Sequence, residues 1–217
     1  MASWGQDGES GGDGTQMSPF RTIEEALGEA GDGDRIMIRQ GTYISGGLEV
    51  TQSHFELAAA AGETVVVEAA PGARYGLTIT QPNQHHVRIA GVQLRGFEAV
   101  GIHLGHPETV RHLILRNLVV RGSREGVSGS YLGGVAVDGL LVENALLQDI
   151  SGIGFQFGVG AGRNVRVAGM HVQMCAQDGD DSGSDGVAFE KGENVLLENC
   201  IVEGAGADGI DLKASRV

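Results

Sequence analysis

Cysteine is nearly absent from this 217-residue chain. Its two thiols, Cys175 and Cys200, cannot build a disulfide framework, and both lie in apolar strand-like runs that read as buried, inert positions. Proline (4 residues) and aromatic side chains (5%) are equally scarce. No apolar run is long enough to cross a bilayer as a helix, and Met1-Ala2-Ser3-Trp4 lacks the basic start and apolar stretch of a signal peptide. Positive charge is in deficit: 15 Lys and Arg stand against 28 Asp and Glu, a formal net charge of −13. That balance excludes nucleic acid and an anionic membrane surface as expected partners. It fits divalent cations, or an acidic ligand reached through a bridging cation, although most such carboxylates serve solubility alone.

What the chain has in excess is glycine, 37 residues without the three-residue period of collagen. With 41% apolar residues beside it, the composition describes a folded chain with many tight turns of positive φ. The glycines fall into a repeat. Gly76, Gly101, Gly126, Gly152, Gly186 and Gly209 each precede a short apolar alternation, at spacings of 25, 25, 26, 34 and 23 residues. A second column agrees: His86-Val87-Arg88-Ile89-Ala90-Gly91 matches the segments beginning at His112, Gly139, Asn164 and Asn194, and each of these ends in Gly or Asn, which tolerate a left-handed bend. Each repeat therefore holds three short strands with sharp corners, and period-2 alternation points one set of side chains inward. The expected fold is all-β, a right-handed parallel β-helix whose turns of about 25 residues stack at about 4.8 Å. A leucine-rich repeat is excluded by the missing Leu/Asn consensus.

The N-terminus differs. Residues 18–31 read as a short capping helix, with Thr22 and Glu25 at capping-box spacing, and residues 35–217 as helical turns, the last incomplete, in a single domain. The run Pro19-Phe20-Arg21-Thr22-Ile23, then Gly33-Asp34-Arg35-Ile36 and Gly41-Thr42-Tyr43, resembles the opening of many secreted pectin-lyase-like β-helices, which implies an extracellular protein. No polar plug follows Ile210–Leu212, so the expectation is a chain truncated at its C-terminus or one whose open turn associates end to end in a homo-oligomer.

Candidate chemistry lies late in the chain. Asp185 and Asp208 precede column glycines on successive turns, and Asp211 follows within a strand pattern that disfavours aspartate. A long insertion before Asp185 adds acids, Asp181 among them. Such carboxylates repel one another unless a cation sits between them, and all-oxygen ligation suits Ca²⁺. The alternative is that Asp-Gly pairs are simply turn residues. The segment from Asp185-Gly186-Val187-Ala188-Phe189 through Ala207-Asp208-Gly209-Ile210-Asp211 resembles polysaccharide lyase family 9. That resemblance implies calcium ligands at Asp185, Asp208 and Asp211, with Ala207 where the family has a further aspartate. It also implies β-elimination on an acidic polysaccharide such as pectate or alginate, by a lysine base whose family position falls beyond Val217. Within the chain the base candidates are Lys213 and Lys191, against plainer roles as an ion-pair partner of Glu190 and a solvated turn residue.

Other residues carry weaker signals. Arg124 could meet a uronate, and His103 with His106 could line a sugar groove. Stacked His86 and His112 could offer imidazoles to a transition metal but lack a third ligand. Three readings remain open: a calcium-dependent uronan lyase, a non-catalytic β-helix for binding or assembly, and an epimerase or hydrolase using outer-face carboxylates.

Overall fold

A computed structural model describes residues 12–105, 110–129, 137–157, 162–174 and 184–213. Its backbone is almost wholly β. One helix, α1 (Ile23–Glu29), is followed by strands that return to the same three directions turn after turn. The first sheet contains Arg35–Ile38, Phe55–Ala59, His85–Ala90, Val110–Arg116, Val137–Glu143, Gly162–Ala168 and Gly192–Glu198. The second contains Gly41–Ser45, Val65–Ala69, Val92–Arg95, Val119–Arg121, Leu146–Ile150, His171–Met174 and Ile201–Glu203. The third contains Leu48–Glu49, Tyr75–Ile79, Val100–Leu104, Glu125–Gly129, Phe155–Phe157, Val187–Phe189 and Ile210–Leu212. Each strand pairs in parallel only with the equivalent strands of the turns before and after it. This is the β-helix expected from the repeat.

Alternation along each strand builds the interior. Leu113 and Leu115 are buried while Arg111 is exposed and Ile114 half-buried, and the same inward set recurs above and below as Val87 and Ile89, then Leu140 and Val142. Because like stacks on like, the buried positions merge into one core running from Ile23 to Val195. Phe155, Phe157 and Phe189 pack together at its later end with ring centroids 5.4–5.8 Å apart.

The helix closes the other end. Thr22 caps it, its hydroxyl accepting the Glu25 N–H at 3.0 Å. Glu25 reaches back to accept the N–H of Arg21 rather than that of Thr22 itself. Ile23, Ala26 and Leu27 are buried against the first turn, and Ser45 donates to the Glu24 carboxylate. The helix spans fewer residues than the 18–31 expected: Pro19 to Thr22 precede it without helical structure, and it ends at Glu29, with Ala30 already extended.

The corners are the left-handed bends that the sequence suggests. One column runs His54, His86, His112, Gly139, Asn164, Asn194, with φ between 51° and 56° at the non-glycine members and 84° at Gly139. Asparagine donates to its neighbour along the column, Asn194 Nδ2 to Asn164 Oδ1 at 2.8 Å, which offsets the cost of a non-glycine residue in this conformation. His54 begins the column, one turn before the repeat read from the sequence, and His54-Phe55-Glu56-Leu57-Ala58 follows the pattern of His86-Val87-Arg88-Ile89-Ala90.

One expectation about the glycine column is corrected. The member on the fourth turn is Gly154, not Gly152: Val127 pairs with Phe155 and Ser128 with Gln156. A loop of a different length between turns had shifted the alignment by two residues. These glycines do not serve positive φ, since none of the column has it. They are needed because the next turn comes too close. A Cβ on Gly126 would lie 2.4 Å from the Gly154 carbonyl oxygen, and one on Gly101 2.1 Å from Cγ1 of Val120 across the core. Gly209 meets nothing within 4 Å.

Gly126→Ala is therefore expected to cost about 3 kcal/mol through a clash with backbone that cannot move aside, whereas Gly209→Ala is expected to be near neutral. Urea unfolding of the two variants beside wild type measures the difference.

Candidate functional site

The outer face of the third sheet carries a ladder of side chains that are polar except for one alanine. Glu49, Thr78, His103, Ser128, Gln156, Ala188 and Asp211 stack in register on successive turns. Each alternates with an inward apolar residue such as Leu77, Ile102, Val127 or Phe155. On one flank run Tyr75, Val100 and Glu125, and further along Asp185 and Asp208 precede Gly186 and Gly209. On the other flank lie Glu190 and Lys213.

In the middle of the ladder the groups are organised. Gln156 Nε2 donates to Glu125 Oε2 at 2.7 Å and to Ser128 Oγ at 3.1 Å, and Ser128 and Gln156 are buried despite facing away from the core. His103 packs against Tyr75 with centroids 5.3 Å apart, and Arg74 sits 5.6 Å over the Tyr75 ring. Burial pushes the His103 imidazole below its ordinary value, against a smaller opposing pull from Glu125. Its Nδ1 is buried with no hydrogen-bond partner among the described residues. A neutral imidazole, a carboxylate, an amide and a hydroxyl thus share one strip beside an aromatic face.

The acidic end is less convergent. Asp185 is half-buried, and its Oδ1 accepts the backbone N–H of Asp208 at 3.0 Å. Asp208 is exposed. Asp211 is turned into an ion pair with Lys213, Oδ2 to Nζ 2.7 Å. Among the described residues these three carboxylates do not gather as closely as His54, His85 and His86, whose ring nitrogens lie within 4.8 Å of one another. The donor chemistry of Asp185, Asp208 and Asp211 suits Ca²⁺, but recruiting Asp211 requires displacing Lys213. Ser184 Oγ beside them is buried without a partner among the described residues.

Lys213 also reaches Glu190 Oε1 at 3.3 Å, on the turn above. Hydrogen bonds to Asp211 first, and to Glu190 next, hold its ammonium far above the ordinary lysine value. That is the opposite of what a general base needs. Lys191 is exposed at the bend after Phe189. Asp181 and His106 lie outside the described residues. Arg124 is exposed, on the segment just before Glu125. Sequence reasoning missed Gln156, because of the shifted alignment, and Glu125 as its partner.

No family model matches the sequence, and no curated protein matches it. Among solved structures, a rhamnogalacturonan lyase superposes with a TM-score of 0.63 at 14% identity, over 94% of this chain and 59% of the other. A pectin methylesterase solved with a hexasaccharide superposes with a TM-score of 0.42 at 12% identity, over 88% of this chain and 80% of the other. The present chain spans about 59% of the length of the lyase. At 14% identity the likeness to the lyase establishes the fold alone: this chain is a parallel β-helix of the architecture found there.

Because the His103 imidazole is depressed in the folded state, the folded protein binds fewer protons than the unfolded chain as pH drops below the ordinary value of 6.5. Its contribution to stability is whole above that value and is lost as pH falls through the lower folded one. Thermal unfolding from pH 8 to pH 5 is expected to show a falling Tm, with a shallower slope in His103→Gln.

Proposed function

We propose that this protein binds an acidic, pectin-type polysaccharide along the outer face of the third sheet, as a lyase-like β-helix. The observation that carries the reading is the half-buried pair Thr78 and His103, in register on the outer column, with exposed Tyr75 and half-buried Glu125 beside it and buried Gln156 holding the Glu125 carboxylate in place. These groups offer hydrogen-bonding partners and an aromatic face on successive turns, suited to a sugar chain lying across them. The superposition on a rhamnogalacturonan lyase supports the same class of ligand.

A net charge of −13 repels a polyuronate at long range, so local cations must hold it. Arg74 over Tyr75 and Arg124 beside Glu125 are placed to meet carboxylates of the sugar. Calcium is part of the proposal at the acidic end, where Asp185 and Asp208 would supply oxygens. For β-elimination His103 suits proton abstraction better than Lys213, because burial favours its neutral form while hydrogen bonds to Asp211 and Glu190 favour the lysine's ammonium. Extracellular location belongs to the same reading.

The second reading is a binding module without turnover, favoured by that engaged lysine. The two separate in one experiment. Affinity electrophoresis in polygalacturonate and in rhamnogalacturonan, with calcium or with EDTA, is expected to retard the wild type. Tyr75→Ala is expected to weaken binding several-fold, about 1 kcal/mol, and Asp208→Ala to remove the calcium dependence. Release of unsaturated product, lost in His103→Ala, identifies the lyase; retardation without product identifies the binding module. Migration unchanged by either polysaccharide contradicts both.

A further inference from the structure

The corner leading from the third sheet into the first carries four histidines on three successive turns. His54, His86 and His112 share one column. The His54 and His86 rings stack at 4.7 Å and 8°, and His112 continues the stack 4.6 Å beyond His86. His85 stands edge-on to both His54, at 4.7 Å and 77°, and His86, at 5.3 Å and 84°. One ring nitrogen from each of His54, His85 and His86 falls within 4.8 Å of the others, and the Nδ1 atoms of His85 and His86 are 3.3 Å apart.

A tetrahedral ion with metal–nitrogen bonds of about 2.0–2.1 Å holds its ligands roughly 3.3–3.4 Å apart. One edge of such a site therefore already has the required length, while the exposed His54 ring has to turn out of its stack on His86 to aim a nitrogen at the same ion. The backbone beneath is braced from inside. Buried Gln84 donates through Nε2 to the carbonyls of Val50 and Gln52, both at 2.9 Å, and buried Gln52 does the same to Leu27 and Ala30. The His54 N–H is held by the His85 carbonyl at 2.9 Å. With the main chain fixed, binding an ion would order only the rings.

The requirements of the corner itself do not account for this cluster. Further along the column the same left-handed position is filled by Gly139, Asn164 and Asn194, so imidazole is not needed to make the bend. His85 lies outside the column altogether, and its register neighbour on the following turn is Arg111.

We propose that His54, His85 and His86 form a three-imidazole site for a divalent transition-metal ion such as Zn²⁺, with its remaining position open to water or an external ligand. Imidazole nitrogen suits zinc, copper and nickel, whereas calcium takes oxygen donors. The site is therefore chemically separate from the carboxylates of Asp185, Asp208 and Asp211, and it stands whether or not the polysaccharide reading does. His54 and His86 are exposed and His85 half-buried, which leaves the ion a path from solvent.

The test is calorimetric titration of the chain with Zn²⁺ at neutral pH, where imidazoles are free to ligate, for wild type, His54→Asn, His86→Asn and His85→Ser. Asparagine already occupies this column at Asn164 and Asn194, and serine precedes it at Ser53, so the variants keep residues that these positions tolerate. One saturable site is expected, weakened on the order of tenfold or more by each substitution, with metal-free melting temperatures preserved. Co²⁺ in place of Zn²⁺ is expected to show visible absorption bands of nitrogen coordination that disappear in His86→Asn. Absence of saturable binding, or an affinity unchanged in the three variants, overturns the proposal.

Discussion

Every turn of this protein is bonded to the next by parallel backbone hydrogen bonds in strict register, and that register makes equivalent residues neighbours in space. A residue about 25 positions away in sequence sits one strand spacing away in the fold. Apolar columns such as Val87, Leu113 and Leu140 therefore fuse into a core. Charged columns become ion-pair ladders in the same way: Arg35, Glu56 and Arg88 alternate with N–O separations of 3.1 and 3.3 Å. These exposed pairs are each worth about 0–1 kcal/mol, so they add little stability, but opposite charges reinforce the register that the core already demands.

The same stacking sets the limits of the fold. Where two turns approach across the core, only glycine fits, and the carbonyl of one glycine fills the space that the Cβ of the preceding one would take. Where the chain turns left-handed, Asn and His do the work of glycine because their side chains stack or hydrogen-bond with the residue on the adjoining turn. Strain at each corner is thus offset by contact along the column. Polar strips arise by the same rule: the Glu125–Gln156–Ser128 network exists because register superposes one turn on another.

Function on such a scaffold is linear. Register turns an outward column such as that of the third sheet into a series of similar positions, and a cluster of like donors forms wherever one residue type recurs at a corner. The acidic end shows how local pairing modifies that rule. Asp211 continues the outer ladder, yet Lys213, two residues along the same strand edge, captures its carboxylate and bridges to Glu190 on the neighbouring turn. Stacking brings acids to one edge, and side-chain electrostatics decides which of them remain available.

The sequence alone determined the architecture, because period-2 alternation, recurring glycines and Asn or His at corner positions are the local requirements of a stacked parallel strand, repeated often enough to be read. It also determined the capping helix from the spacing of Thr22 and Glu25, and the Glu190–Lys213 pair from their shared column. Tertiary structure decided what spacing could not. Gly154 rather than Gly152 belongs to the column, since loop length between strands carries no register of its own. Gln156 thereby joins Glu125, and His54 joins His86, through contacts between turns rather than along the chain. The engagement of Asp211, and with it the ammonium state of Lys213, depends on distances of a few ångströms between side chains, a quantity no linear pattern contains.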